Sequence, residues 1–369
     1  MPTRVHFGEG VIDRLPLLPV VSSAQSIALC IGGSSLRASG HFNQIQSLLI
    51  GKSIALADGV PAEPPLSLLI SLSEAWKKSK PDCIIAVGGG SVLDIAKAAA
   101  FWAMQYETVP SDLSKLPVNP MSPIPLVAVP TTSGTGSEVT PFSVFWDKEA
   151  GRNQSMHHTL LYPADALLDP VLTYSMPPEV TASTGMDAFT QASEAYWNKN
   201  ANPVSDDYAL MAIARILPAL PRAVAHGQDA AARSNMLLGS LQAGLAFSNT
   251  RTTACHSISY PMTLHFHVAH GQAVGITLPE VLLLNAEVQP ERVARYCTAL
   301  GAADMKDAVE KIRSMMRASG LATKLSELGI KTDDDIERIV KGGFTPSRMG
   351  NTPYEFSPDT LRQLLKRIL

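Results

Sequence analysis

Short apolar runs alternate with helix-like segments through the first part of the chain. Three of the runs, Ser26–Ile31, Asp82–Val87 and Ile124–Val129, each end in a loop of small residues. Apolar runs of this length without polar interruption are typical of strands that are buried on both faces. The stretch Leu93–Phe101, which follows the second run, is helix-like. Alternating strands and helices predict an α/β domain built on a parallel sheet.

The pattern changes after Pro177-Pro178, where strand-like runs become rare and helical spacing dominates. Apolar residues with helical spacing include Val293, Tyr296, Cys297 and Leu300. Near the end of the chain, Ser357 and Pro358 stand where an N-cap and a first helical residue are expected. We therefore predict an α/β domain over residues 1–177 and an all-α domain over residues 178–369.

Composition supports two folded domains and excludes some partners. The chain has 369 residues, of which 46% are hydrophobic, enough for two sizeable cores. The net charge of −3 and the lack of a basic stretch argue against a nucleic-acid partner. Charged residues make up only 17% of the chain, below the ~25% usual in soluble domains. Little charged surface is compatible with oligomerisation or with a large interior.

The sequence predicts a cytoplasmic protein with no membrane partner. The most apolar stretch, Cys83–Met104, is interrupted by Asp94, Lys97 and three successive glycines, whereas a span needs ~20 mostly apolar residues. The first fifteen residues lack the apolar core of a signal peptide. The four cysteines stand far apart without a CxxC pair, which indicates reduced core thiols.

A triple glycine marks the first candidate ligand site. Gly88-Gly89-Gly90-Ser91 follows the second predicted strand and precedes a helix. Ligands of parallel sheets bind beyond the carboxyl ends of strands, where glycines let the backbone approach a pyrophosphate and a helix N-terminus favours its charge. The loop is not the GxGxxG fingerprint, and a plain tight turn is an equal alternative.

Two other strand ends carry small polar residues. The first loop, Gly32-Gly33-Ser34-Ser35 followed by Arg37, has no acid, and NAD-specific sites usually carry an acid for the ribose 2′-hydroxyl. If this loop holds the adenosine ribose, it predicts NADP(H) rather than NAD(H); an ordinary turn is the alternative. The third loop, Thr131–Glu138, offers hydroxyls for a ribose or phosphate, although its composition also suits a flexible loop.

A candidate metal site lies farther along the chain. Asp187 and Gln191 share a helix face at i, i+4. His256 and His270 are fourteen positions apart. One Asp and two His are suitable ligands for Fe²⁺ or Zn²⁺, and three protein ligands with an open position describe a catalytic site. Spacing alone does not bring Asp187 near His256, and a hydrogen-bonded structural histidine is the alternative at each position.

Several motifs together resemble the iron-dependent (group III) alcohol dehydrogenases. They occur in the family's order over nearly the whole chain: FGEG at Phe7–Gly10, GGGSVLD-IAK at Gly88–Lys97, PTTSGTGSE at Pro130–Glu138, PPEVTASTGMDA at Pro177–Ala188, and His256 followed by His270-Gly271. The resemblance implies a Rossmann-like N-terminal dinucleotide-binding domain and a helical C-terminal domain that binds metal and carries catalysis. This is the architecture of dehydroquinate synthase.

The resemblance also implies roles for particular residues. Asp187, Gln191, His256 and His270 match the metal-ligand positions, the metal being Fe²⁺ or Zn²⁺. Asp187, His256 and His270 would then be catalytic, and the proton would come from water, a cofactor ribose hydroxyl, or a relay that includes Tyr260 or His267. The residues assigned to the nucleotide are Gly32, Gly33, Ser34, Ser35, Gly88, Gly89, Gly90, Ser91, Asp94, Thr131, Thr132, Thr135 and Leu172. The implied reaction is metal-dependent, NAD(P)H-linked reduction of an aldehyde to a primary alcohol.

Two departures from the family pattern suggest a branch. Gln191 stands where the family usually has a ligand His, and Tyr260 stands where many members have a His. Gln191 together with CHSISYP at Cys255–Pro261 resembles the phosphonoacetaldehyde reductases, which make 2-hydroxyethylphosphonate. A phosphonate needs cations, since Arg pairs well with tetrahedral oxyanions. The candidates are Arg152, His157, His158, Arg251, His265, His267 and Arg348.

Other functions stay open at this point. A general short-chain alcohol or aldehyde dehydrogenase of the same family is one alternative. A metal-free maleylacetate reductase is a second, which the missing His at position 191 favours and Asp187 does not. A lyase of the dehydroquinate synthase type is a third, although such enzymes use Glu as first ligand and many Lys and Arg. A non-catalytic nucleotide-binding protein would result if Gln191 abolished metal binding.

Overall fold

The computed structural model describes residues 2–147 and 152–369, without the side chains of residues 146, 147, 152 and 153. The chain divides into two compact units. Unit 1 comprises Met1–Thr132 and Ser137–Ser175, and unit 2 comprises Ser133–Gly136 and Met176–Leu369. The functions assigned from sequence to 1–177 and 178–369, dinucleotide binding and metal binding, stay predictions.

Unit 1 is built on a six-stranded parallel sheet with the order β1-β8-β5-β4-β2-β3. A separate antiparallel pair is formed by β6 and β7. The strands are β1 Arg4–Phe7, β2 Ser26–Ile31, β3 Ser53–Ala57, β4 Cys83–Gly88, β5 Leu126–Pro130, β6 Phe142–Asp147, β7 Arg152–His157 and β8 Asp165–Leu168. The predicted parallel sheet is confirmed, and the three apolar runs become the adjacent strands β2, β4 and β5.

The continuous apolar runs reflect a sheet that is covered on both faces. Side chains alternate along β2: Ile27 and Leu29 join one core, whereas Ala28 and Cys30 join the other. The helices of unit 1 are α1 Pro19–Ser22, α2 Ser35–Ala38, α3 His41–Leu48, α4 Leu66–Ser79 and α5 Gly90–Trp102. Helix α5 is buried along most of its length, which explains its apolar sequence.

Unit 2 is helical in the part that the structure describes, as predicted. Its helices are α6 Pro178–Trp197, α7 Pro203–Ala225, α8 Ala230–Thr250, α9 Ala254–Phe266, α10 His270–Gly275, α11 Leu278–Val288, α12 Pro290–Ala299, α13 Met305–Ala318, α14 Asp333–Gly342, α15 Pro346–Met349 and α16 Pro358–Arg367. Ser357 accepts a hydrogen bond from the Thr360 amide at 3.1 Å, so the predicted cap of α16 is confirmed. The four cysteines are free and buried.

Among the described helices, α7 alone is long and apolar enough to cross a membrane by length and composition. It packs against α6 and α8 within unit 2. The buried core helices of globular proteins pass the same test, so this single helix is weak evidence for a membrane span.

Candidate metal centre and nucleotide loops

Three helices bring Asp187, His256 and His270 together. Asp187 lies within α6, His256 in the first turn of α9, and His270 at the start of α10. Nε2 of His256 is 3.3 Å from Oδ1 of Asp187, and Nε2 of His270 is 3.8 Å from the same oxygen. One ligand atom from each residue lies within 4.8 Å of the others. The fold thus supplies the proximity that sequence spacing did not.

Glycines let α10 run directly against α6. A Cβ on Gly271 would lie 1.7 Å from the carbonyl oxygen of Ser183, and a Cβ on Gly275 would lie 2.4 Å from Cγ of Met186. Both distances are far below van der Waals contact. Because Gly271 directly follows His270, this close approach fixes the histidine beside α6 and therefore beside Asp187.

Glu194 holds His256 in place, and sequence reasoning missed it. This carboxylate is fully buried and accepts hydrogen bonds from the amides of Cys255 at 2.6 Å and His256 at 3.3 Å. It also accepts one from the hydroxyl of Thr253 at 2.8 Å, and its other oxygen lies 2.5 Å from Nδ1 of His256. A signal was present in the sequence, since Glu194 lies two helical turns after Asp187 on the same face.

The carboxylates control the charge of the histidines. Burial disfavours the imidazolium of His256, but Glu194 and Asp187 outweigh it and raise the pKa of His256 to about 9. Burial likewise opposes ionisation of Glu194, yet His256 and Thr253 leave its pKa below the usual value. Burial lowers the pKa of His270, although Asp187 opposes this shift. With Nδ1 of His256 turned to Glu194, Nε2 is the nitrogen that faces Asp187.

Buried polar atoms around this point have no hydrogen-bond partner among the described residues. They include Oδ1 of Asp187, Nε2 of His256 and Oε1 of Gln191. Gln191 donates through Nε2 to Oδ2 of Asp187 at 3.0 Å, so the predicted i, i+4 pair is in contact. Buried polar atoms are normally satisfied, and a carboxylate with two imidazoles suits Fe²⁺ or Zn²⁺. The donor set therefore fits a divalent cation.

Tyr260 lies beside this cluster, and Arg348 lies beside Tyr260. The Tyr260 and His270 rings are nearly parallel, at 12°, with centroids 6.5 Å apart. The guanidinium carbon of Arg348 is 4.8 Å from the centroid of the Tyr260 ring. His267 ends α9 in a left-handed conformation with φ 54° and an exposed side chain.

The other predicted cations have different surroundings. His157 stacks on Phe142 with centroids 4.9 Å apart, and Nδ1 of His158 accepts a hydrogen bond from the Leu160 amide at 3.1 Å. His265 and Arg251 are exposed on unit 2. The side chain of Arg152 lies outside the described residues.

The triple-glycine loop is a tight strand-to-helix turn. Gly88 ends β4, Gly89 is the N-cap of α5, and Gly90 is its first residue. A Cβ on Gly88 would lie 2.5 Å from Cγ2 of Val92, and one on Gly89 would lie 3.2 Å from Cγ2 of Thr132. Packing alone therefore requires glycine at position 88. The loop still presents the amides at the start of α5, and Ser91 accepts a hydrogen bond from the Glu63 amide at 3.3 Å.

The first loop is more open. Gly32 follows β2, and a Cβ on Gly33 would meet no atom within 4 Å. Arg37 pairs with Asp58, a carboxylate just after β3, and its guanidinium carbon lies 3.9 Å above the Phe42 ring. Asp58 lies outside the loop from which the nucleotide preference is predicted. An exposed ion pair of this kind is worth only about 0–1 kcal/mol, so Arg37 is weakly held.

Three of the assigned nucleotide residues have structural partners. Asp94 accepts hydrogen bonds from the Ser137 hydroxyl at 2.5 Å and the Val144 amide at 2.9 Å, and it pairs with the buried Lys97. The Thr131 amide donates to the Gly88 carbonyl at 3.0 Å. Leu172 is 2% exposed, within a core of unit 1. Their nucleotide roles stay predictions.

Thr135 lies in the short segment of the third loop that belongs to unit 2. There a Cβ on Gly136 would lie 2.6 Å from Cα of Gly244, and one on Gly134 would lie 2.7 Å from Cβ of Thr184. The segment is therefore packed against α8 and α6.

Comparison with known proteins identifies the family. Residues 2–170 match the family described as "Iron-containing alcohol dehydrogenase", and residues 181–369 match "Fe-containing alcohol dehydrogenase family, C-terminal". A probable alcohol dehydrogenase, EutG, from Salmonella typhimurium is 39% identical over 74% of this chain and 69% of its own length. An NADPH-dependent butanol dehydrogenase from Clostridium saccharobutylicum is 29% identical over 99% and 96%, respectively.

A solved structure agrees with both the fold and the sequence matches. The sulfoacetaldehyde reductase from Bifidobacterium kashiwanohense, in complex with NAD⁺, superimposes with a TM-score of 0.93 at 29% identity, covering 100% of this chain and 97% of that one. The chain belongs to the iron-containing alcohol dehydrogenase family and is an oxidoreductase. The lyase and non-catalytic alternatives therefore lose their support.

Proposed function

We propose that this enzyme reduces an aldehyde to a primary alcohol at a divalent metal, with a nicotinamide dinucleotide as hydride donor. The observation that carries the proposal is the convergence of Asp187, His256 and His270, whose ligand atoms lie within 4.8 Å of one another. These residues would hold a divalent ion, which would supply Lewis-acid polarisation of the carbonyl oxygen. Fe²⁺ and Zn²⁺ both suit these donors.

The protein's own residues set up the site around that ion. Glu194 orients His256 so that Nε2 is available, and Gln191 orients Asp187 through its amide. Reduction of the aldehyde also needs one proton for the alcohol oxygen. Tyr260 is the better candidate to deliver it, because its ring lies against His270, whereas the His267 side chain is exposed.

We further propose that the nucleotide binds at the glycine loops of unit 1 and that NADP(H) is preferred over NAD(H). The first loop from Gly32 to Ser35 carries no acid of its own. Arg37 lies over the Phe42 ring and pairs with Asp58 through an exposed ion pair, and a 2′-phosphate would displace that ion pair at little cost. The C. saccharobutylicum relative is NADPH-dependent, and the sulfoacetaldehyde reductase was solved with NAD⁺.

For the substrate, we propose phosphonoacetaldehyde, which would give 2-hydroxyethylphosphonate. The resemblance at Gln191 and Cys255–Pro261 supports this choice. The sulfoacetaldehyde reductase supports it further, since its named substrate is also a two-carbon aldehyde with a tetrahedral anionic group. A neutral short-chain aldehyde is the alternative. The low charged fraction, 17%, fits a homo-oligomer, for which we propose a dimer, and we propose a cytoplasmic location.

The test of the metal site combines metal analysis with substitution. His256→Ala and His270→Ala should abolish bound metal and aldehyde reduction, whereas NADPH binding, followed by fluorescence, should persist. His265→Ala, an exposed histidine at the end of α9, is the matched control and should keep its metal. Wild-type turnover after complete metal removal would refute the proposal.

The nucleotide preference is tested at Gly33, where a side chain has room. Gly33→Asp should lower kcat/KM for NADPH more than for NADH, because the new carboxylate repels a 2′-phosphate and accepts from a 2′-hydroxyl. Gly33→Ala is the control for bulk alone. An unchanged ratio of the two values in Gly33→Asp would show that this loop does not hold the adenosine ribose.

A further inference from the structure

The segment that carries Arg348 is fastened on both sides of this arginine, to α9 before it and to the chain just ahead of α9 after it. Before it, the Ser257 hydroxyl donates to the Gly343 carbonyl at 2.6 Å and accepts from the Thr345 amide at 2.7 Å. After it, Nδ2 of Asn351 donates to the Thr252 carbonyl at 3.1 Å. Arg348 is therefore presented by a backbone that is tied to the helix carrying His256.

Arg348 lies one aromatic ring away from the metal cluster. Its guanidinium carbon lies over the Tyr260 ring, 4.8 Å from the centroid, and His270 is another neighbour of that ring, with centroids 6.5 Å apart. Tyr260 follows His256 by one helical turn on α9. Arg348 and His270 therefore share one neighbour, the Tyr260 ring, which brings a cation close to the metal cluster.

Arg348 differs from two other half-buried arginines of unit 2 that have carboxylate partners. Arg292 pairs with Asp206 at 2.6 Å, and Arg313 pairs with Glu280 at 2.7 Å. No carboxylate among the described residues pairs with Arg348, whose guanidinium instead lies over the ring of Tyr260. A charge that is partly removed from water without a counter-ion is unfavourable. An anionic ligand would supply the missing partner.

We propose that Arg348 binds the anionic group of the substrate and makes the enzyme selective for short aldehydes that carry a tetrahedral oxyanion, a phosphonate or a sulfonate. The guanidinium offers a planar fork of donors that pairs with such a group through two parallel hydrogen bonds. Stacking on Tyr260 restricts its orientation and adds a cation–π contact. This inference rests on the proposed function, because it assumes that the aldehyde carbonyl is at the metal.

The experiment compares aldehydes of similar size with and without the charge. Wild type, Arg348→Gln and Arg348→Lys are loaded with metal and assayed on phosphonoacetaldehyde and on butanal. In Arg348→Gln, KM for phosphonoacetaldehyde should rise about ten- to hundredfold, the value of a charge-assisted hydrogen-bond pair, with little change for butanal. Arg348→Lys should recover part of the loss, since it keeps the charge without the fork. Arg295→Gln, on the exposed face of α12, should behave as wild type.

A binding measurement separates this inference from the proposed reaction. Ethylphosphonate, which cannot be reduced, should raise the melting temperature of the metal-loaded wild type and not that of Arg348→Gln. If this protection depends on Arg348 but no aldehyde is reduced, the anion site stands and the proposed reaction fails. If butanal and phosphonoacetaldehyde are reduced equally well, or if Arg348→Gln affects both alike, the reaction stands and the role of Arg348 is refuted.

Discussion

Glu194→Gln offers a sharp test of how the site is built, because it changes one acceptor into a donor. In the wild type, Oε1 of Glu194 accepts from Thr253, Cys255 and His256, and Oε2 faces Nδ1 of His256 at 2.5 Å. A glutamine can keep all three contacts at Oε1. Its amide nitrogen then replaces Oε2 and donates towards Nδ1.

The substitution should move the proton of the His256 ring. With a donor facing Nδ1, the neutral ring must carry its proton on Nε2, which points at Oδ1 of Asp187 from 3.3 Å. A protonated Nε2 cannot ligate a metal. We expect metal affinity to fall about ten- to hundredfold, as for other partners that orient metal-bound histidines, which is ~1.4–2.8 kcal/mol. Stability should fall by only ~1–3 kcal/mol, since the buried donors stay paired.

Competition with a chromophoric chelator measures the affinity for Zn²⁺, and urea unfolding of the metal-free protein measures stability. Nitrogen NMR of the histidines reports the tautomer directly. Ser193→Ala is the control, because this neighbour on α6 bonds to Phe189 and Tyr296 instead; it should lose stability and keep metal affinity. Wild-type affinity in Glu194→Gln, with the proton still on Nδ1, would refute this account of the site.

Two further predictions concern packing and buried charge. Gly271→Ala should lower the free energy of unfolding in urea by about 3 kcal/mol or more and remove bound metal, since its Cβ would lie 1.7 Å from the Ser183 carbonyl oxygen. Gly33→Ala is the control. Normal metal content in Gly271→Ala would contradict the prediction. Burial raises the pKa of Glu138 from 4.5 to about 7, so its ionisation costs stability as pH rises through that interval. The free energy of unfolding of Glu138→Gln, relative to that of wild type, should therefore rise by ~2–3 kcal/mol from pH 5 to pH 8. If the difference between variant and wild type is the same at both pH values, Glu138 is already ionised at pH 5.

The central strands were predictable from sequence, whereas the edge strands were not. Strands β2, β4 and β5 are buried on both faces and read as unbroken apolar runs. The edge strands β1 and β3 are half-exposed, so their sequences mix polar and apolar residues without a clear period. Strand β8 begins with the buried Asp165, which is paired by Arg4 and His6 of β1. A buried carboxylate is tolerated at the start of β8 only because β1 supplies these two partners.

The candidate metal ligands were identifiable by residue type and family pattern, but their convergence was not. It depends on the close approach of α10 to α6 at Gly271. This is a contact between two backbones, and its only sign in the sequence is that residue 271 is a glycine. Glu194 was missed for a related reason, since most of its partners are backbone amides. When the hydrogen-bond partners of a residue are main-chain groups, no second side chain in the sequence indicates its role.

Gln191 shows how a departure from a family pattern becomes interpretable once its contacts are known. From sequence it is a weaker ligand in the place of a histidine. In the structure its amide nitrogen donates to Asp187 at 3.0 Å, while its Oε1 stays buried without a partner among the described residues. A neutral histidine also has one donor and one acceptor, but they are separate ring nitrogens that point in divergent directions, whereas the amide of Gln191 carries both on one carbon. The exchange therefore keeps the charge of the site, removes one imidazole, and ties the orientation of the carboxylate to the residue one turn along α6.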